Sequence, residues 1–164
     1  PTEGRVEEYT LMGLPEGTKA VGIALVSRGQ TLIYKYCSVD IDTSVKETIL
    51  PKTTVNLATY DRIQEQVFDA HCIACHGKSS GQPAGNLFLT EGKSYSALVN
   101  VKAGAPVANE KPYVTPGEPD NSFLMDILSE NILGHNHTDI FNGSETTEVN
   151  NLLNAWINNG AKEE

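Results

Sequence analysis

The pattern of hydrophobic positions along the chain changes near residue 58. Before this point, apolar residues recur with a period near two in four stretches, which lie at residues 6–14, 19–27, 31–41 and 45–57. The turn sequences PEGT and RGQ separate the first three stretches. Alternation of this kind is typical of strands with one buried face. The pattern predicts a four-stranded antiparallel meander over residues 1–57, a small β unit of unknown role.

Beyond this point the apolar period is that of a helix. Asp61 followed by Gln64 predicts a capping box at the start of the first helix, and short helices are expected near residues 94–101 and after Pro119. The last helix has the clearest signal: Ser144 is its expected cap, Gly160 its expected end, and its apolar face is formed by Val149, Leu152, Leu153, Trp156 and Ile157. The predicted fold class is α+β, with the β unit at residues 1–57 followed by a mainly α-helical domain at residues 58–164.

Charge and composition exclude several kinds of partner. The chain has 12 basic and 21 acidic residues and a net charge of −9, and no block of Lys or Arg interrupts the acidic balance. Nucleic acids and anionic membranes are therefore not expected partners, whereas a basic face on a protein partner would be attracted. No apolar stretch is long enough to predict a transmembrane segment in this chain.

The segment HCIACHGKSS, residues 71–80, contains the most specific chemical signal. In Cys72-Ile73-Ala74-Cys75-His76 the two thiols can add to the vinyl groups of haem, and the histidine that follows can bind the iron. A zinc site needs four ligands, and no second Cys or His pair follows. A thioredoxin-like redox pair is expected at the start of a helix after a strand, in a βαβ context that this sequence lacks. The spacing favours covalent haem over the zinc and disulfide alternatives, which stay open.

From about residue 60 to residue 161 the chain resembles c-type cytochrome domains of class I. The stretches that resemble the family are CIACHG, GNLFL, SALVNV, YVTPGEPDNSFLMDIL and NNLLNAWINNGA, in that order along the chain. The resemblance implies a class I cytochrome c-like fold for this part, with one haem c per chain. Cys72 and Cys75 would hold the haem covalently, and His76 would be the proximal iron ligand.

The resemblance also implies neighbours for the haem. Trp156 and Phe68 would pack near it, where the terminal helices cross. Pro83 could offer its carbonyl to the ring N–H of His76 and so fix the orientation of the ligand.

Cys37, the third cysteine, is expected to be a small buried core residue of the β unit.

The sixth iron ligand is where the sequence departs from the family. Such domains usually have a Gly-x-x-Met-Pro segment about nineteen residues before a closing Trp-Ile pair, and here residues 134–138 read Gly-His-Asn-His-Thr. His137 falls on the position of the methionine. We therefore predict a bis-histidine haem with His76 and His137 as axial ligands, with His135 as the alternative. Met125 is a further alternative, although its neighbours place it inside an amphipathic helix.

Three functions of different classes follow from these predictions. The first is a monohaem c-type cytochrome that carries electrons to or from a redox protein partner; it would not be an enzyme, although peroxidase-like activity stays open. The second is a haem-based module that binds or senses small ligands. The third is a non-haem interaction domain in which Cys72 and Cys75 form a disulfide or a metal clip. Covalent haem attachment implies a periplasmic or extracytoplasmic location in a bacterium, with a membrane anchor outside this chain as one possibility.

Overall fold

The computed structural model describes residues 8–50, 55–77, 81–132, 134 and 136–163. The chain divides into two compact units, Pro1–Val55 and Asn56–Glu164. The first contains strands and the second contains helices, so the α+β fold class predicted from the sequence is confirmed.

The first unit contains one antiparallel hairpin, formed by β1 (Ala20–Val26) and β2 (Leu32–Asp40). Its loop closes through a hydrogen bond from Gln30 N to Ser27 O at 2.9 Å, and Gln30 has a positive φ of 61°. A turn followed by one left-handed residue is a common three-residue hairpin loop. Two register shifts along the pair introduce bulges.

The prediction of a four-stranded meander is wrong for the described residues. Neither residues 8–14 nor residues 45–50 form strands, and residues 51–54 lie outside the described part of the chain. No described residue of this unit is buried. These two stretches have no core to cover, and without one alternating apolar residues give a strand little stability. Cys37, on β2, is half-buried and not the fully buried core thiol that we expected.

The second unit is built from short helices around one hydrophobic core. The α-helices are α1 (Tyr60–Ile63), α2 (Ile73–His76), α3 (Ser94–Leu98), α4 (Phe123–Ser129) and α5 (Ser144–Asn158). A π-helix, Gln64–Cys72, joins α1 to α2. Three short 3-10 turns lie at Ala84–Asn86, Pro106–Ala108 and Pro119–Asn121.

Helix α5 confirms the apolar face predicted for the end of the chain. All five of its predicted apolar residues are buried: Val149, Leu152, Leu153, Trp156 and Ile157. Gly160 has a φ of 91°, as expected for the left-handed residue that ends a helix.

The caps of the first and last helices differ from the prediction. Thr59 caps α1, because its Oγ1 accepts a hydrogen bond from Arg62 N, and Gln64 turns inward instead of completing a capping box. Ser144 is the first residue of α5 and makes no capping bond. Packing decided the first outcome, since Gln64 bonds to buried partners that the local sequence does not reveal.

Candidate functional site

Two cysteines lie close together where the π-helix meets α2. Cys72 is the last residue of the π-helix and Cys75 lies one turn later in α2. The wider π turn brings Cys72 Sγ to 3.5 Å from the carbonyl oxygen of Val67, five residues earlier. π-Helical turns are rare and are frequent at functional sites. Cys75 is exposed, whereas Cys72 is half-buried against the hydrophobic core.

His76 ends α2 and its ring is oriented by a backbone carbonyl. The ring nitrogen Nδ1 lies 3.2 Å from the carbonyl oxygen of Leu87. A carbonyl can only accept, so this hydrogen bond requires the proton on Nδ1 and leaves Nε2 as the nitrogen that can bind a metal. The prediction of Pro83 as the partner is therefore wrong. The carbonyl of Pro83 instead accepts from Asn86 N within the loop.

The structure places the imidazole of His137 close to that of His76. The ring centroids lie 6.4 Å apart and the ring planes are inclined by 36°. Because imidazole nitrogens bind transition-metal ions at about 2 Å and the ring centre lies about 1.1 Å behind the nitrogen, two rings on opposite sides of one ion have centres about 6.3 Å apart. The observed separation fits one ion between the two rings. Both histidines are half-buried.

The other described residues that were predicted near a haem lie in or against the hydrophobic core. Phe68 and Trp156 are both 1% exposed and belong to the core cluster against which Cys72 packs. Tyr60 lies between their rings, with centroid distances of 6.2 Å to Phe68 and 5.2 Å to Trp156. Met125 packs against the same core from α4, as expected of a core methionine. The alternative ligand His135 lies outside the described residues.

The surroundings of the thiols argue against a redox pair. Burial, with a smaller contribution from neighbouring Cys75, raises the pKa of Cys72 to about 12. Reactive Cys-x-x-Cys pairs work the other way, because their nucleophilic thiol has a lowered pKa. Among the described residues, no group of three or more His, Cys, Asp and Glu side chains is placed to hold a metal ion. The zinc alternative therefore gains no support from the described part of the chain.

Two polar side chains in this region were not predicted to matter. His71 Nε2 lies 3.1 Å from Glu145 Oε1, and the ring of His71 packs edge-on against Phe141. Gln64 is 6% exposed and forms hydrogen bonds inside the core. The sequence did contain a signal for Gln64: it lies four residues from Tyr60 and from Phe68, on the buried face of the first helical segment, where a polar residue needs a partner.

No family model matches the chain, and no similar curated protein or solved structure was found. The resemblance to c-type cytochromes is therefore carried by the residues of this chain alone. Within the described ranges, no helix combines the length and the apolar character needed to cross a membrane.

Proposed function

We propose that this chain is a monohaem c-type cytochrome that carries electrons. Cys72 and Cys75 would attach haem c through thioether bonds, and His76 and His137 would bind the iron from opposite sides. The observation that supports this most is the pair of imidazole rings with centroids 6.4 Å apart, one of them directly after the two cysteines. His137 also stands at the position where class I c-type cytochromes usually have a methionine.

The two histidines favour electron transfer over substrate chemistry. When bound, the haem supplies one-electron exchange at its iron, while the protein supplies the ligands and the burial. With both axial positions held by imidazole, no position is left for a substrate or a small ligand. Methionine ligation raises the potential of cytochromes c. A second histidine in its place therefore predicts a potential below that of a Met/His cytochrome.

Charge supports a redox protein as the partner. Residues 56–164 carry fourteen acidic and six basic side chains, a net charge of −8, whereas residues 1–55 carry seven and six. Almost all of the net charge thus belongs to the unit with the candidate haem site. We propose that a partner with a basic docking face meets this unit in the periplasm or another extracytoplasmic compartment.

Absorption spectra of protein made in cells that attach haem test the proposal. The wild type is expected to show sharp α and β bands when reduced, to keep them in the presence of CO, and to lack a long-wavelength sulfur-to-iron band when oxidised. His137→Gly should open the sixth position, so that CO shifts the reduced spectrum. His137→Met should introduce the sulfur band and raise the potential.

His71→Gln is the matched control, because it removes a half-buried imidazole one residue from Cys72 and leaves the His76–His137 pair intact. This variant should remain insensitive to CO. A CO response in the wild type would favour the ligand-sensing function instead. A colourless protein, despite competent attachment, would exclude haem and leave the interaction domain with a disulfide or metal clip.

A further inference from the structure

A buried hydrogen-bond network connects the start of α1 to the segment that orients His76. The hydroxyl of Tyr60 donates to Ser94 Oγ at 2.5 Å, and Ser94 Oγ donates to Gln64 Oε1 at 2.5 Å. The amide Nε2 of Gln64 donates to the carbonyl oxygen of Leu89 at 3.0 Å and to Asp69 Oδ1 at 2.7 Å. Tyr60, Ser94 and Gln64 are 6%, 1% and 6% exposed. These three side chains are therefore shielded from water, whereas Asp69 at the end of the network is exposed.

The orientation of this network is fixed by its two ends. Nε2 of Gln64 faces a carbonyl and a carboxylate oxygen, which only accept, so the amide must point its donors at them. Oε1 must then accept from Ser94, and Ser94 must accept from Tyr60. Every polar side-chain atom in the network has a partner, which makes the conformation of Gln64 unique and costly to change.

The segment at residues 87–89 links this network to His76. Leu89 N donates to the backbone carbonyl of His76 at 2.9 Å, and the carbonyl of Leu87 accepts from the His76 ring at 3.2 Å. Leu89 O, in turn, accepts from Gln64. The segment is thus attached to His76 by two hydrogen bonds and to the core of the unit by the amide of Gln64.

We propose that Gln64 is a positioning residue for the haem iron: its buried amide holds residues 87–89 in place and thereby fixes the hydrogen bond that orients the His76 ring. The inference rests on the proposed function for its effect on the iron. The hold of Gln64 on residues 87–89, which we call the clamp, does not depend on that function. A hydrogen bond to Nδ1 makes an imidazole a stronger electron donor to its metal. Loosening it should weaken that donation and raise the reduction potential.

The test compares Gln64→Met with Ser122→Ala. Methionine keeps the length of the side chain but has neither the donor for Leu89 nor a good acceptor for Ser94. Ser122 is the matched control because it is 0% exposed and its hydroxyl bonds to Thr115 N and Glu118 O instead of to residues 87–89. Both variants disturb a buried hydrogen-bond pair, but only one of these pairs leads to His76.

Two readouts separate the clamp from the haem. In the apoprotein, hydrogen exchange of Leu89 N–H should accelerate by at least about tenfold in Gln64→Met, measured relative to the core amide of Val114, because its hydrogen bond to His76 is loosened. In the haem-attached protein, the reduction potential should rise. Ser122→Ala should change neither quantity.

The outcomes are distinct. Unchanged exchange of Leu89 N–H overturns the clamp, and faster exchange with an unchanged potential reduces Gln64 to a structural role. If the wild type never attaches haem, the proposed function fails while the exchange measurement still decides the clamp. Should Gln64→Met not fold, Gln64→Glu replaces it: an ionised carboxylate can accept from Ser94 but has no N–H for Leu89 O, so exchange of Leu89 N–H must still accelerate.

Discussion

Ten of the large exposed apolar side chains in the described part of the chain belong to the first unit, and three belong to the second. The buried core residues all belong to the second unit. Both units contain regular hydrophobic patterns, with a period near two in the first and a helical period in the second. The difference shows that a hydrophobic pattern does not by itself produce a core: in the first unit, regular structure is limited to the hairpin that a local turn pairs.

Matched isoleucines give the largest test of this comparison. Ile157 on α5 is 0% exposed and Ile49 in the first unit is 74% exposed. Ile157→Ala should lower the free energy of unfolding of the second unit by about 3 kcal/mol, because it removes apolar contacts and leaves a cavity. Ile49→Ala should change stability by less than about 0.5 kcal/mol.

Urea unfolding of the apoprotein, followed by tryptophan fluorescence, measures Ile157→Ala, and hydrogen exchange of the β1 and β2 amides measures Ile49→Ala. Trp156 is the single tryptophan of the chain and is buried beside Tyr60 in the second unit, so its emission reports on that unit. A loss from Ile49→Ala comparable to that from Ile157→Ala would show that the exposed apolar residues of the first unit contribute to a core after all, and would end the contrast.

The candidate site shows the same division between what the sequence predicts and what packing decides. The roles proposed for Cys72, Cys75, His76 and His137 stay predictions, and they can be drawn from the sequence because residue type and local spacing define such a motif. The carbonyl partner of the His76 ring could not be predicted, because the choice of Leu87 over Pro83 depends on how residues 81–89 fold back.

Long-range partners account for the remaining errors. Gln64 was assigned to a cap because Asp61 precedes it by three residues, but its partners Ser94 and Leu89 are 30 and 25 residues away. In the first unit, the two central strands were predicted correctly because a local turn pairs them. The two outer stretches were wrongly predicted as strands, because the local sequence does not show whether a core is present.

Two glycines extend the comparison with a smaller expected effect. An added Cβ at Gly77, directly after the candidate haem motif, would lie 2.7 Å from Ile73 Cβ and 2.8 Å from Ile73 O. Gly77→Ala should therefore displace α2 and destabilise the second unit by about 1–3 kcal/mol, the usual cost of overpacking. An added Cβ at Gly22 would collide with the carbonyl oxygen of Cys37 and should open the hairpin beside the Gly22–Ser38 pair.

Fluorescence of Trp156 and hydrogen exchange of the hairpin amides distinguish these effects. Gly77→Ala should lower the urea midpoint seen by Trp156, whereas Gly22→Ala should accelerate exchange on β1 and β2 and leave that midpoint unchanged. The prediction fails if Gly22→Ala shifts the Trp156 transition, since the two units would then unfold together.

The two units should also differ in how they respond to pH. In the second unit, burial raises the pKa of Cys72 to about 12 and that of Tyr60 to about 12. Both groups are neutral when protonated, so they stabilise the fold fully below their unfolded pKa values of 9.0 and 10.0. This stability is lost as pH rises towards 12. Each group should change the unfolding equilibrium by up to about tenfold per pH unit in that window.

The first unit should respond at the opposite end of the scale. Hydrogen bonds from the side chain and backbone of Ser44 lower the pKa of the exposed Asp42 carboxyl, so the small stabilisation is present above its unfolded pKa and is lost in acid.

Urea midpoints of the apoprotein measured between pH 8 and 11 should fall for the Trp156 transition. Covalent attachment of haem would convert Cys72 to a thioether and remove its share of the alkaline slope. An equal slope in the haem-attached protein would show that Tyr60 alone is responsible.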